Sequence, residues 1–120
     1  MEIDELKNEL DILIHQRSEA NARNRAWINS RIRSTRISLA RKKGNHTKED
    51  WIALVEFFQF KCVRCCNQLC HITVRKDHIV PIYQGGSDGI DNLQPLCQKC
   101  NSSKGPEDFN WASYRIAKGF

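Results

Sequence analysis

The sequence predicts an α+β fold, with a helical N-terminal arm over residues 1–60 and a small cysteine-rich module over residues 61–120. Apolar residues before residue 60 recur at three- and four-residue intervals, the period of amphipathic helices. From Lys61 onward the chain changes to cysteines, short β-prone runs and glycine-containing turns. A chain of 120 residues suits one small domain with an appendage. Because such a chain buries only about two-thirds of its unfolded surface, we expect additional stabilisation from outside the hydrophobic core.

The arm is predicted to contain three helices. The first carries an apolar stripe formed by Ile3, Leu6, Leu10, Leu13 and Ile14. This stripe lasts only about two heptads, which is short for a coiled coil, so a hairpin within one chain and a dimer seam both stay open. The second helix covers residues 21–43, includes a looser stripe starting at Trp27, and breaks at residues 44–46. Thr47 is a good N-cap for the third, which should pack against the chain beyond residue 60.

The net charge of +5 is unevenly distributed. The first twenty residues carry six acidic and two basic side chains, whereas residues 21–43 carry no acid and eight bases: Arg23, Arg25, Arg31, Arg33, Arg36, Arg41, Lys42 and Lys43. An uninterrupted basic segment of this kind attracts a phosphate backbone. A solvated helix face, or an intramolecular partner for the acidic first twenty residues, would explain the same pattern.

Membrane and secreted classes are disfavoured. The longest apolar stretch, residues 51–55, is far too short to cross a bilayer. The opening residues are acidic, the opposite of a secretory signal. We therefore expect a soluble, cytoplasmic protein. In a reducing compartment, six cysteines indicate metal binding or cysteine chemistry more strongly than they indicate disulfide bonds.

Two matched C-x-x-C pairs are the strongest local signal: Cys62 with Cys65, and Cys97 with Cys100. Each pair can direct two thiolates at one ion, so both together complete a tetrahedral four-cysteine zinc site. Such an ion contributes on the order of 10 kcal/mol to the free energy of folding. Buried free cysteines or a redox pair are the alternatives. Cys66 and Cys70 have no matching second pair, and we interpret both as free thiols.

The segment between and after these pairs predicts strand, loop, strand and helix. The expected elements are a strand at 72–80, a loop at 84–89, an extended piece at 92–96, a short helix at 97–104 and a final helix from about 106 to 118. Pro95 makes the second extended piece an edge or irregular strand.

Four polar residues of this module form a candidate site. Asp77 and His78 lie near the end of the first strand, where neighbours point to opposite faces unless the backbone bends. Asn92 follows the loop, and Asn101 directly follows the second cysteine pair, which would hold it in place. The set predicts an oxygen-rich pocket beside an imidazole.

The order of these motifs resembles the HNH endonuclease family, and more narrowly the small zinc-containing HNH proteins of bacteriophages. The resemblance rests on Cys-x-x-Cys, then Asp77-His78-Ile-Val-Pro-Ile, Gly85-Gly86, Asp-Asn92-Leu-Gln-Pro-Leu, and Cys-x-x-Cys-Asn101-x-x-Lys104. It covers about residues 61–105. The resemblance implies a ββα-metal fold and a metal-dependent endonuclease that hydrolyses DNA phosphodiester bonds, with nicking of double-stranded DNA as the primary expectation.

The resemblance also implies roles for the four polar residues. His78 would be the general base, Asp77 and Asn101 would be ligands of one catalytic divalent cation, and Asn92 would hold the loop that orients His78. Many family members have histidine where this chain has Asn101. Because an amide oxygen is a harder ligand than imidazole, Mg²⁺ or Mn²⁺ is expected.

Further roles follow as expectations. Arg75 and Lys76 flank the site and should face DNA, while Lys104 would either contact a phosphate or be a solvated residue at a helix end. One alternative function is a non-catalytic zinc module that binds DNA or a protein. Another is an accessory subunit whose N-terminal helices dock a phage packaging protein, in the host cytoplasm. The chain would be a monomer or a dimer through the N-terminal helix.

Overall fold

The structure is a computed structural model that describes residues 2–105 and 107–119. Its elements are helices α1 (Ile3–Glu19), α2 (Ala22–Lys43) and α3 (Lys48–Phe57), strand β1 (Arg75–His78), strand β2 (Leu93–Leu96), and helices α4 (Gln98–Lys104) and α5 (Trp111–Lys118). Short 3-10 turns lie at Ile82–Gln84 and Ile90–Asn92. This is the predicted α+β class, with N-terminal helices followed by a small sheet and helix.

Helices α1 and α2 form a hairpin within one chain, one of the two arrangements that the sequence left open. Leu13 packs against Ile28 and Ile32, and all three are buried. Arg31 donates to Glu9 Oε1 at 2.8 Å across the pair, so one arginine of the basic segment does have an acidic partner in α1. Trp27, by contrast, is 63% exposed and does not belong to the apolar stripe of α2 that packs against α1.

Helix α3 begins at the predicted cap. The Thr47 side chain accepts from Asp50 N at 3.0 Å while the Asp50 carboxylate accepts from Thr47 N at 2.9 Å, a complete capping box. Leu54 and Phe58 pack into one cluster with Val63 and Leu96, as expected for a helix that contacts the chain beyond residue 60. The division at residue 60 stays a prediction, and this packing is a reason to group α3 with the module.

The two strands pair antiparallel, with Asp77 opposite Gln94 and His78 opposite Leu93. The first strand is shorter than the predicted 72–80. Its start is replaced by a turn in which Cys70 O accepts from Thr73 N at 3.1 Å and from Val74 N at 2.9 Å. These bonds use backbone groups that a longer strand would need for pairing.

The last helix also begins later than predicted. Asn110 caps α5 by accepting from Ser113 N at 2.9 Å, so the helix starts at Trp111. The expected start at Pro106 lies outside the described residues. Arg115 of α5 donates to Val63 O and Arg64 O, both at 2.6 Å, and thereby ties the C-terminal helix to the first cysteine turn. Across the described residues, no helix combines the length and apolar character that a membrane span requires.

Candidate active site

The predicted grouping of four cysteines is confirmed. The thiol sulfurs of Cys62, Cys65, Cys97 and Cys100 all lie within 4.8 Å of one another, without disulfide bonds. Cys65 Sγ is 3.8 Å from Cys97 Sγ. A tetrahedron with metal–sulfur bonds of about 2.3 Å has edges of about 3.8 Å, so this spacing fits one Zn²⁺.

Local backbone geometry places these thiols. Cys97 is the N-cap of α4, and its sulfur accepts from Cys100 N at 3.3 Å. The turn after Cys62 closes through a 2.7 Å bond from Cys66 N to Cys62 O. Cys66 has a φ of 64°, a left-handed conformation that follows from this tight turn. Cys66 and Cys70 are free thiols outside the cluster, as predicted.

Three of the four thiols have shifted pKa values. Burial raises the pKa of Cys97, but hydrogen bonds from Cys100 N and from neighbouring thiols outweigh burial and lower the pKa to about 7. Burial raises the pKa of both Cys100 and Cys65. Without a metal, Cys97 is therefore the first of these three thiols to ionise, and a bound zinc ion would have to displace protons from Cys65 and Cys100.

A cavity of about 410 Å³ brings together three of the four polar residues. Asp77 and His78 from the end of β1 line it together with Asn101 from α4. Arg33 and Arg36, one turn apart on α2, also line it. Two of the eight arm bases thus share the cavity with the predicted catalytic residues.

Asp77 is held by buried polar contacts. Its side chain is 8% exposed, accepts from Gln94 Nε2 at 2.9 Å, and forms an ion pair with Lys104 Nζ at 3.1 Å. Gln94 is itself fully buried and accepts from Ala112 N at 3.1 Å. Sequence analysis missed Gln94, although a lone polar residue in the otherwise apolar strand Leu93–Leu96 is a recognisable signal.

Lys104 is buried, so its interpretation as a solvated residue at a helix end is wrong, whereas its contact with a phosphate stays a prediction. Its side chain is 3% exposed, and Nζ donates to His78 O at 2.9 Å and to Ile79 O at 3.1 Å in addition to Asp77. Helix α4 turns Lys104 inward, where it neutralises a buried carboxylate and holds the end of β1. A buried ammonium needs such partners.

Asn92 holds the loop after β1 closed. Its side chain accepts from Val80 N at 2.9 Å and donates to Val80 O at 3.0 Å and to Ser87 O at 2.7 Å. Gly86 lies inside this closure, and a Cβ there would be 1.8 Å from Val80 O. Only glycine therefore fits at this position.

His78 is contacted by a residue that sequence analysis left unassigned. His78 Nε2 lies 2.8 Å from Asp88 Oδ1. His46 lies 2.7 Å from Asp88 O through Nδ1 and 2.7 Å from Lys76 Nζ through Nε2. The two contacts of Asp88 had no sequence signal, because both depend on how the loop 84–89 folds against the end of α2.

The other basic residues differ in their contacts within the chain. Lys43 Nζ donates to Gly85 O at 2.9 Å, and Arg25 donates to Ala20 O at 3.0 Å. Arg75 is exposed and donates to Gln98 Oε1 at 2.9 Å. Lys76 is also exposed, and its ammonium lies 5.3 Å from the centre of the Trp51 ring. Contact between any of these residues and DNA stays a prediction.

The residues present fit a divalent cation in the cavity. Asp77 Oδ1 accepts one hydrogen bond, from Lys104 at 3.2 Å, so a lone pair remains for a metal. Asn101 offers an amide oxygen on the same cavity wall. Mg²⁺ is commonly bound by one or two carboxylates together with water and substrate phosphates, which suits a set this small.

Comparison with known proteins identifies the module. Residues 62–107 match the family model described as HNH endonuclease. Searches of curated proteins and of solved structures gave no significant match. The match begins at the first zinc-type cysteine and includes both strands, α4 and the cavity residues of that module. The family that residues 62–107 of this chain match is therefore the HNH endonuclease family.

Proposed function

We propose that the chain is a metal-dependent endonuclease that hydrolyses DNA phosphodiester bonds, with nicking of one strand of a duplex as its primary activity. The observation that carries this proposal is the shared cavity of Asp77, His78 and Asn101 within the HNH domain. A module that only binds DNA or protein has no use for an imidazole beside two metal-type oxygen ligands. One such cavity per chain cuts one strand.

The protein residues divide the chemistry between them. Imidazole accepts protons near neutral pH, so His78 takes the proton from the water that attacks phosphorus. The bond from phosphorus to the 3′ oxygen then breaks, and that oxygen receives a proton from solvent. Asp77 and Asn101 hold Mg²⁺ or Mn²⁺, which when bound supplies positive charge to the leaving oxygen.

Zinc has a separate, structural role in this proposal. Cys62, Cys65, Cys97 and Cys100 use all four tetrahedral positions, which leaves none for substrate or water. The ion would join the turn before β1 to the start of α4, and α4 carries Asn101. The zinc site therefore acts on catalysis only by placing that helix against β1.

The decisive experiment compares the full chain with His78→Ala on supercoiled plasmid in Mg²⁺ or Mn²⁺. We expect nicked circles from the wild type and a rate lower by about 10²- to 10⁴-fold for the variant, because the general base is lost. His15→Ala is the matched control, since His15 lies on the exposed side of α1. Equal nicking by His78→Ala, or none by the wild type with either metal, would overturn the proposal in favour of a non-catalytic binding module.

The arm contributes to the same site in this proposal. Arg33 and Arg36 face the cavity, so we assign them to the phosphates next to the cut, while Arg23 and Lys42 add general attraction. Attraction of this kind reads backbone charge and not base sequence. Phage origin, a packaging partner and the oligomeric state stay predictions.

For the double variant Arg33→Ala/Arg36→Ala we expect weaker DNA binding and slower nicking at saturating DNA. The slope of log affinity against log salt should fall by about 0.9 for each lost phosphate contact. The control is Lys7→Ala/Lys118→Ala, which removes the same charge from exposed positions outside residues 21–43. If both double variants show the same salt slope and rate, the assignment of Arg33 and Arg36 is wrong.

A further inference from the structure

The loop between the strands carries a carboxylate that contacts the proposed general base. Asp88 Oδ1 lies 2.8 Å from His78 Nε2, and the two side chains are 13% and 23% exposed. Asp88 does not line the catalytic cavity, whereas His78 does. The carboxylate therefore contacts the imidazole from a position outside the lining of the cavity.

This contact determines which ring nitrogen is available. An ionised carboxylate can only accept hydrogen bonds, so the 2.8 Å distance requires His78 Nε2 to carry the proton. Neutral imidazole then has its lone pair on Nδ1. Within residues 2–105 and 107–119, Nδ1 has no hydrogen-bond partner, so this atom can receive a proton from water.

The end of the arm holds Asp88 in position. Asp88 N donates to Ala40 O at 3.1 Å, and His46 Nδ1 donates to Asp88 O at 2.7 Å. Arg41 Nε lies 3.8 Å from Asp88 Oδ2, close enough for additional electrostatic attraction. Since Ala40, Arg41 and His46 all belong to the segment where α2 ends, Asp88 is attached to the arm, mainly through its backbone N and O, as well as to its own loop.

We infer that Asp88 is a positioning residue for catalysis: it holds His78 as the Nε2-protonated tautomer with Nδ1 directed to the attacking water. During proton transfer, Nδ1 gains the proton of the water and Nε2 keeps its own, and the Asp88 carboxylate stabilises the imidazolium that forms. The role of Asp88 in the reaction rests on the proposed function, whereas its effect on the tautomer does not.

The kinetic test uses Asp88→Asn in the full, zinc-loaded chain under single-turnover conditions with supercoiled plasmid. We expect the rate at saturating protein to fall by about 10- to 100-fold, as for a misplaced catalytic group. The protein concentration that gives half the maximal rate should change less than twofold, because Asp88 lies outside the DNA-facing cavity. Asp88→Glu should recover part of the rate.

Asp91→Asn is the matched control, because it removes one carboxylate from an exposed position three residues further along the same loop. We expect its rate and melting temperature to equal those of the wild type. If Asp88→Asn nicks at the wild-type rate, or if Asp91→Asn loses as much activity, the positioning role is wrong.

The tautomer is measured without any nuclease assay. Long-range ¹H–¹⁵N correlation spectra at fixed pH report which nitrogen of His78 carries hydrogen. We expect Nε2–H in the wild type and in Asp91→Asn, and a mixture in Asp88→Asn. A wild type that shows this tautomer but does not nick would refute the proposed function alone. A wild type that nicks with Nδ1 protonated would refute the inference alone.

Discussion

Removal of zinc is expected to unfold the module around the four cysteines. The apolar cluster there is small, and Cys62 and Cys100 are themselves among its buried members. A structural zinc ion contributes on the order of 10 kcal/mol, more than a core of this size can replace. Native mass spectrometry should find one zinc ion per chain, and chelation should abolish the cooperative melting of the module.

Two substitutions distinguish the proposed zinc ligands from the cysteines outside the cluster. Cys100→Ser should lower the zinc content and cause the same loss of structure as chelation. Cys70→Ser should change neither, because Cys70 is exposed and outside the cluster. An apo protein that melts like the zinc-loaded one, or a metal content well below one ion per chain, would contradict the four-cysteine site.

The pH dependence of zinc binding has a defined sign. Zinc binds thiolates, so binding releases protons and zinc affinity falls as pH is lowered. Cys97, whose pKa is about 7, loses its proton before the more basic Cys65 and Cys100. Stability that comes from zinc should therefore be present at neutral pH and be lost progressively in acid.

Lys104→Met is expected to destabilise the chain by about 3–5 kcal/mol, because it leaves the Asp77 carboxylate buried without its ionic partner. The substitution keeps an unbranched side chain, one atom shorter, but removes the ammonium that contacts Asp77 and the carbonyls of His78 and Ile79. Urea unfolding of the zinc-loaded chain measures the change.

The double variant Lys104→Met/Asp77→Asn tests the cause. If the buried charge is responsible, removing it should recover part of the lost stability, and the two substitutions should not be additive. A Lys104→Met protein as stable as the wild type, or a double variant less stable than Lys104→Met, would show that the ion pair is not what holds β1 to α4.

Local patterns predicted most of the helices. The interval of apolar residues and the Thr47 cap were enough to predict α1, α2 and α3, because a helix is built from contacts between residues three and four apart. The start of β1 was predicted three residues too early. Residues 72–74 are β-prone, but the turn closed by Cys70 O uses their backbone groups. A strand depends on a partner distant in sequence, and no local pattern supplies that partner.

In the candidate site, too, local patterns predicted some features, whereas others depend on contacts between distant residues. Cysteine spacing predicted the metal-type cluster, and the motif order pointed to Asp77, His78 and Asn101, which the structure places on one cavity. The burial of Lys104 was not predicted because its spacing on α4 says nothing about which face of that helix is buried. Asp88 was missed because its contact with His78 requires the whole loop to fold back onto the end of α2.

The sequence by itself determined which side chains are available for chemistry: four thiols at metal spacing, an imidazole next to a carboxyl group, and a basic helical segment. These are properties of residue type and short spacing, which the linear order preserves. Only the tertiary structure decided that Lys104 neutralises Asp77, that Asp88 contacts His78, and that Arg33 and Arg36 reach the cavity. Each of these contacts joins residues that are distant in the chain or face an unpredictable side of a helix, and packing alone brings them together.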